Sequence, residues 1–202
     1  MFCFLVSKTK NMEIVELKTP RTLLRQWKAE DFKPFAALNA DPKVNEFYPS
    51  VLETDRSNSI ADRFKSLIEE NGWGFWAVEL IEEKRFIGFV GLNRPDYELP
   101  VKPCLEVGWR LATQYWGRGL ATEAATEAIN YGFNSLEDEQ IYAFTSVSNK
   151  RSRAVMERLG MQNMQSNFNH PMLAECPALI EHVLYKVNKK DWLPSKITQN
   201  HK

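Results

Sequence analysis

The stretch Gln114-Tyr115-Trp116-Gly117-Arg118-Gly119-Leu120-Ala121 limits what this chain can fold into more than any other. It joins an alternating run, Leu105 to Leu111, to a long alanine-rich run from Leu120 to Phe133. The first has the period of a strand and the second the composition of a helix. A strand that enters a helix through a glycine-punctuated turn leaves backbone N–H groups without partners, and the helix dipole adds about half a positive charge there. Gly117 and Gly119 let the main chain approach a ligand with no Cβ in between. The turn is therefore an anion site suited to a diphosphate.

Its surroundings narrow the choice of diphosphate. No G-x-x-x-x-G-K-[ST] occurs, which removes the P-loop. A dinucleotide fingerprint would need its third glycine at Thr122 and an early βαβ unit, but the turn lies past the middle of 202 residues. Lysine plus arginine and aspartate plus glutamate both number 26, so charge gives no case for nucleic acid or an anionic membrane surface. The cysteines are Cys3, Cys104 and Cys176, with no C-x-x-C pair. Neither a disulfide framework nor a zinc site is indicated, and reduced thiols in a cytoplasmic setting are expected.

The rest of the chain reads as one α/β unit over 12–192, with 1–11 a disordered extension and 193–202 a frayed tail. Met1 to Val6 is apolar but too short to span a bilayer, and Met12 serves as well as Met1 for a start. Leu17 to Trp27 reads as a strand broken near Pro20. A helix is expected over Phe32–Asn39, stopped by Asp41-Pro42, and a second from a capping Thr54 to about Asn71. Strands follow at Gly74–Ile81 and Phe86–Leu92, then a loop at Pro95–Pro103. The central unit is strand 104–111, glycine turn, helix 120–133, strand 140–147 and helix 150–159, closed by Gly160. Short strands at Met161–Ser166 and Ile180–Val187 complete a three-layer α/β/α arrangement around a mixed sheet.

Gln114-x-x-Gly117-x-Gly119 in this setting resembles the acyl-CoA signature of the GCN5-related N-acetyltransferase (GNAT) superfamily, close to its RimJ/RimL branch. Three further segments carry the resemblance: Glu106-Val107-Gly108-Trp109; Asn149-x-x-Ser152 followed by Leu159-Gly160-Met161; and His182-Val183-Leu184-Tyr185. It extends from about Leu17 to Trp192 and implies the acyl-CoA N-acyltransferase fold, with a centrally splayed sheet. It also implies acetyl-CoA as donor and an amine as acceptor, of a protein N-terminus or a small molecule, with a homodimer by analogy. By that resemblance the amides of Gly117, Arg118, Gly119, Leu120 and Ala121 hold the pyrophosphate. The main chain at Trp109 and Leu111 bonds the pantetheine arm, and Asn149 bonds it through its side-chain amide. Arg118, Lys150, Arg151 and Arg153 are cations for the nucleotide end or, equally, a solvated helix face.

Acetyl transfer to an amine needs a base for the ammonium, donors for the developing oxyanion and a hydrogen bond for the departing thiolate. Main-chain N–H groups from Val107 to Trp109 are placed for the oxyanion if the parallel strands splay there. Alternation puts Glu106, Gly108 and Arg110 on one face of their strand, away from Leu105, Val107 and Leu111. Glu106 is then either a partly desolvated base or one half of an ion pair with Arg110. Many members of the superfamily carry a tyrosine seven residues after the position of Asn149, and here that residue is Met156. Ser152, at the branch's spacing, is the expected donor to sulfur, with a helix-capping serine as the alternative. Tyr185 is a second donor or a packed strand aromatic; His182 is expected to be an ordinary strand histidine.

For the acceptor, the loops 39–54, 93–103 and 167–177 supply Asp41, Glu46, Asp96 and Glu98, with Asp55 just beyond, to meet a cationic amine. Phe47, Tyr48, Trp73 and Trp76 are the aromatic faces available to line its slot. A catalytically silent acyl-CoA-binding module, which needs the phosphate turn but no base, is the competing function.

Overall fold

The structure, a computed structural model, describes residues 12–193. The expected extension at 1–11, and all of the expected tail except Leu193, lie outside the described residues. Strands β1 (Leu17–Lys18) and β2 (Thr22–Arg25) fold back on each other around Thr19–Arg21, which is the break expected near Pro20. Helices α1 (Phe32–Ala40) and α2 (Thr54–Asn71) come next. Thr54 does not cap α2 as expected: it is the first helical residue, and Glu53 holds the cap position without a side-chain bond. Strands β3 (Phe75–Leu80), β4 (Arg85–Asn93) and β5 (Leu105–Leu111) then run antiparallel in sequence.

Helix α3 (Leu120–Ser135) carries the chain from β5 to β6 (Gln140–Ser146), and α4 (Lys150–Arg158) follows. Two backbone bonds close α4 at its C-terminus, Gly160 N–H to the Glu157 carbonyl and Met161 N–H to that of Met156, as a Schellman ending requires. The remaining strands are β7 (Gln162–Asn163), β8 (Phe168–Asn169) and β9 (Glu181–Asn188). Strand β8 lies in a segment expected to be loop. Its pairing with β9, Phe168 opposite His182, is long-range, and its one apolar residue leaves no period to read. The sheet order is β1-β2-β3-β4-β5-β6-β9-β7, with β8 also on β9.

Each face of the sheet is covered. Gly132 of α3 sits against Ile141, Leu105 and Leu92, and Ala124, Ala125 and Ala128 are fully buried, so α3 packs with its backbone close to the strands. On the other face Trp27, Phe35, Phe86 and Phe89 form a tilted and edge-to-face aromatic cluster under α1 and α2, with centroids 4.9–6.3 Å apart. Arg25 anchors this face by a two-pronged bond to Asp31 at 2.7 and 2.9 Å, with a third bond to Glu79 at 2.8 Å. That fork satisfies a buried guanidinium and fixes β2 against the entry to α1.

The feature that matters for function is where the sheet opens. Strands β5 and β6 run parallel but share only the pairs Leu105 with Ile141 and Glu106 with Tyr142. Beyond them β5 stays on β4 to Leu111, and β6 stays on β9 to Ser146. The sheet therefore splits at Glu106 into a V. Part of the edge left on β5 is taken by Trp116, whose indole N–H donates to the Leu111 carbonyl at 2.7 Å.

Candidate active site

One wall of the V is main chain. In an antiparallel ladder alternate residues exchange both bonds with the neighbour, and the others turn theirs away. The bond from Ala112 N–H to the Ile87 carbonyl, with the β4–β5 register, commits Arg110, Gly108 and Glu106 to β4. Val107, Trp109 and Leu111 thus present their backbone groups to the cleft side. The wall continues into the glycine turn, where Gly117 has φ 72° and Gly119, at the cap position of α3, has φ 75°. No side chain caps α3, and among the described residues none accepts a hydrogen bond from the amides of residues 117–121. A Cβ on Gly117 would touch nothing within 4 Å, so the turn faces open space.

Charge at this turn is arranged to suit an anion. Glu123 in the first turn of α3 would oppose one, but Arg21 binds it at 2.6 Å and Thr19 Oγ1 donates to it at 2.6 Å. Among the described residues no carboxylate pairs with Arg118 or Lys150, both exposed. Arg153 donates to the Val147 carbonyl at 3.1 Å, and Arg151 pairs with Glu46 while its guanidinium lies 4.8 Å from the Trp116 ring centre. Gln114 is exposed and Tyr115 is buried.

At the apex of the V lies a cleft of about 390 Å³, bordered by Glu106, Val107, Gly108, Trp109, Asn149 and Ser152. Burial pushes the Glu106 carboxyl up to about 7, opposed only by a 3.3 Å hydrogen bond from Asn93 Nδ2. The ion pair with Arg110 does not form. Arg110 donates instead to Asn39 Oδ1 at 2.6 Å and lies over the Tyr48 ring at 3.9 Å. Gly108, one pleat further along the same face, leaves the carboxylate room: its Cβ would come within 3.0 Å of the Phe75 ring and 3.7 Å of Glu106 Oε1.

Asn149 caps α4, accepting from Ser152 N–H at 3.1 Å, and its amide nitrogen donates to Thr145 Oγ1 at 2.9 Å and Ser152 Oγ at 3.1 Å. The capping belongs to Asn149 and not to Ser152, whose hydroxyl accepts from the Asn149 amide and borders the cleft. Met156 also borders the cleft. Tyr185 lies on the opposite face of β9, is 2% exposed and donates to Glu157 at 3.1 Å; it does not border the cleft.

The acceptor side differs from expectation in its charges. Thr113 binds Asp41 at 3.2 Å, Arg151 pairs with Glu46, Arg63 with Asp96 at 3.3 Å and Lys102 with Glu98 at 3.3 Å; none of the four acids, nor Asp55, lines the cleft. Phe47 and Tyr48 do line it, whereas Trp76 is core, its indole bonded to the Val15 carbonyl at 2.8 Å, and Trp73 packs at the core's edge beside Arg94. Sequence reasoning missed Tyr97, Phe144, His170 and His182, which share this side. The His170 and His182 rings are 4.9 Å apart, and Tyr97 lies 5.1 Å from His170. Burial holds both imidazoles below their ordinary value, His170 at about 4. These residues come from four separate segments, so no local spacing marks them.

The comparisons with known proteins agree with this geometry. The family model of the acetyltransferase (GNAT) domain matches residues 21–162. The uncharacterized N-acetyltransferase YoaA of Bacillus subtilis is 26% identical over 148 residues, 72% of this chain and 82% of YoaA. An acetyltransferase of the GNAT family from Bacillus anthracis superposes with a TM-score of 0.72 at 21% identity, covering 87% of this chain and 99% of that one. RimJ of Mycobacterium smegmatis, solved in complex with CoA-disulfide, gives 0.68 at 16% identity over 95% and 96% of the two chains. Unpaired amides at 117–121 and an open strand edge fit the diphosphate and the amide-bearing arm of coenzyme A. The chain belongs to the GNAT acetyltransferase family and is an acetyl-CoA-dependent N-acetyltransferase.

Proposed function

We propose that this chain moves the acetyl group of acetyl-CoA directly to a primary amine, of a protein N-terminus or a small molecule, with both substrates bound together. The observation that carries the reading is the position of Glu106: a carboxyl raised to about 7 by burial, at the apex where β5 and β6 part. An amine is charged at neutral pH and attacks only when neutral. A carboxylate poised near 7 takes that proton without remaining protonated itself. Of the amides expected for the developing oxyanion, that of Trp109 donates, since the Gly108 amide is committed to β4 and the Val107 amide faces β6. Ser152 donates a hydrogen bond to the departing thiolate, which takes up the second proton that the attacking nitrogen sheds.

Tyr185 is the weaker donor in this scheme, since its hydroxyl is bonded to Glu157 behind the sheet. The amides of 117–121 hold the pyrophosphate, with Gln114 opening the turn. Trp109 and Leu111 hold the arm by their backbone, the Leu111 carbonyl excepted because Trp116 occupies it. Asn149 reaches the arm only by giving up a bond it makes to Thr145 or Ser152, so its first task is to aim Ser152.

A route through an acetylated cysteine is disfavoured by Cys104, whose thiol burial and the Glu106 charge push up to about 11. A thiol held protonated is a poor nucleophile. Initial rates over a grid of both substrates test the order: intersecting lines support direct transfer, and parallel lines overturn it.

A further inference from the structure

The side of the cleft facing Glu106 is unlike a site for a polycation. Glu106 is the one carboxylate among the lining residues, because the acids on the surrounding loops are bound elsewhere. A second ammonium entering with the first would lose its water and meet no counter-charge. What it would meet is aromatic. By register Glu106, Phe144 and His182 share one face of the sheet, and Phe168 packs on them from β8, 5.9 Å from both Phe144 and His182.

The imidazoles in this nest are uncharged, and their bonds fix which nitrogen carries the proton. His182 Nδ1 donates to the Ile180 carbonyl at 3.1 Å, which leaves Nε2 as an acceptor. His170 Nδ1 accepts from Met172 N–H at 3.3 Å, which leaves its proton on Nε2. Two neutral rings in contact offer apolar faces and one acceptor, with no positive charge to repel an ammonium.

Size and rim add to this. At about 390 Å³ the cleft is near the lower end of ligand sites, which run roughly 300–1,000 Å³, and the acetyl end of the donor shares it. There is room for the amine and one side group. At the cleft's border Tyr48 and Met172 stay 43% and 69% exposed, and the charge held against Tyr48 is the Arg110 guanidinium, a cation that offers a second ammonium no partner.

We infer that the acceptor is a primary amine with a single positive charge carried on an aromatic or branched apolar group, which the Tyr97, Phe144, His170 and His182 nest receives. This rests on the transfer reading above. The chemistry is shared by a peptide whose first residue is phenylalanine or leucine and by a free arylalkylamine.

The test is the rate of thiol release from acetyl-CoA by the full chain with matched peptides beginning Phe, Leu, Ala, Lys or Asp, beside phenethylamine and spermidine. The expected result is a kcat/KM at least about tenfold higher for Phe or Leu than for Lys or Asp, and for phenethylamine than for spermidine. A higher kcat/KM for the Phe peptide than for phenethylamine identifies a chain N-terminus as the source; the reverse identifies a free amine. Equal rates across the panel, or a preference for Lys or spermidine, overturn the inference and leave the transfer reading intact. Acetyl-CoA binding with no thiol release on any amine overturns the transfer reading, and the inference with it. In His170→Glu a second carboxylate enters the nest, and the ratio of Lys to Phe peptide is expected to rise about tenfold. An unchanged ratio in a variant that still binds acetyl-CoA counts against the nest as the recognition element.

Discussion

The two walls of the cleft are made of different material. The donor wall, from Val107 to Ala121, is one continuous stretch that offers backbone amides and carbonyls and an uncapped helix end. The acceptor wall is side chains from separate places: Phe47 and Tyr48 before α2, Tyr97 before β5, Phe144 on β6, and His170 and His182 around β9. Main chain suits a partner that never changes, since any sequence that keeps the turn keeps the amides. Side chains suit one that differs from enzyme to enzyme, because each can be exchanged without disturbing the sheet. Glu106 stands between the walls, and in the proposed transfer it serves both.

The largest expected effect falls on that shared residue. Glu106→Gln keeps the shape and removes the proposed base, so kcat is expected to fall about 10²–10⁴-fold while the Kd for acetyl-CoA by calorimetry moves little. In the wild-type chain kcat/KM is expected to climb as pH rises through about 7, where Glu106 loses its proton, and the variant is expected to lack that limb. Undiminished turnover removes Glu106 from the mechanism and leaves a donor site without a base.

Next in size is a change confined to the donor wall. Gly119→Asp puts a negative side chain, in a strained positive-φ conformation, where the helix dipole and unpaired amides meet the diphosphate. A loss of about 10–100-fold in acetyl-CoA affinity is expected, from one charge-assisted bond at roughly 1.5–3 kcal/mol. The relative rates on different amines, measured at saturating acetyl-CoA, are expected to stay as they were. If they change, the two walls are not separable.

This division also explains what could be read from the chain before its structure. The strand, glycine turn and helix of this wall were legible because Gly117, Gly119 and the flanking periods are neighbours in sequence and what they build is backbone geometry. Glu106 was legible as an inward-facing carboxylate by alternation, but its freedom from Arg110 was not. Asn39, 71 residues away from Arg110, decides that. Asp41, Glu46, Asp96 and Glu98 looked like acceptor contacts, yet each is claimed by a partner that only tertiary structure supplies. His182 read as an ordinary strand residue because its meaning lies in His170, brought to it by the two-residue strand β8, too short to show a period.

Ser152→Ala is expected to lower kcat about tenfold, since one hydrogen bond to a developing thiolate is lost while the Asn149 cap on α4 stays in place. A loss of affinity with kcat unchanged makes it a binding residue. The protonation of Glu106 gives a different readout of the same apex, through stability. Its carboxyl titrates at about 7 in the folded chain against 4.5 for an unperturbed glutamate, so the folded state holds the proton more tightly. The stability linked to it is whole below about 4.5 and is lost as pH rises through about 7. Glu106→Gln is therefore expected to raise the melting temperature at pH 8, by about 4–8 °C for roughly 2 kcal/mol, and to leave it unchanged at about pH 4. A variant no more stable than wild type at about pH 8 would mean that the carboxylate is well solvated, and the argument for its pKa fails.

The smallest expected effect tests whether the walls are joined. Glu46, on the acceptor loop, pairs with Arg151 at the start of α4, and Arg151 in turn lies against Trp116 of the donor turn and 5.4 Å from the Phe47 ring. Both partners are about half exposed, at 50% and 51%, and pairs of that kind contribute roughly 0–1 kcal/mol. Glu46→Gln removes the ion pair but leaves Arg151 on its two aromatic faces. KM for acetyl-CoA and for the amine is then expected to move by no more than about threefold, less at about 0.3 M salt than at about 0.05 M, as screening of an exposed pair requires. A change of about tenfold or more in both constants together would make this pair a strut that sets the width of the V, and the walls a single device.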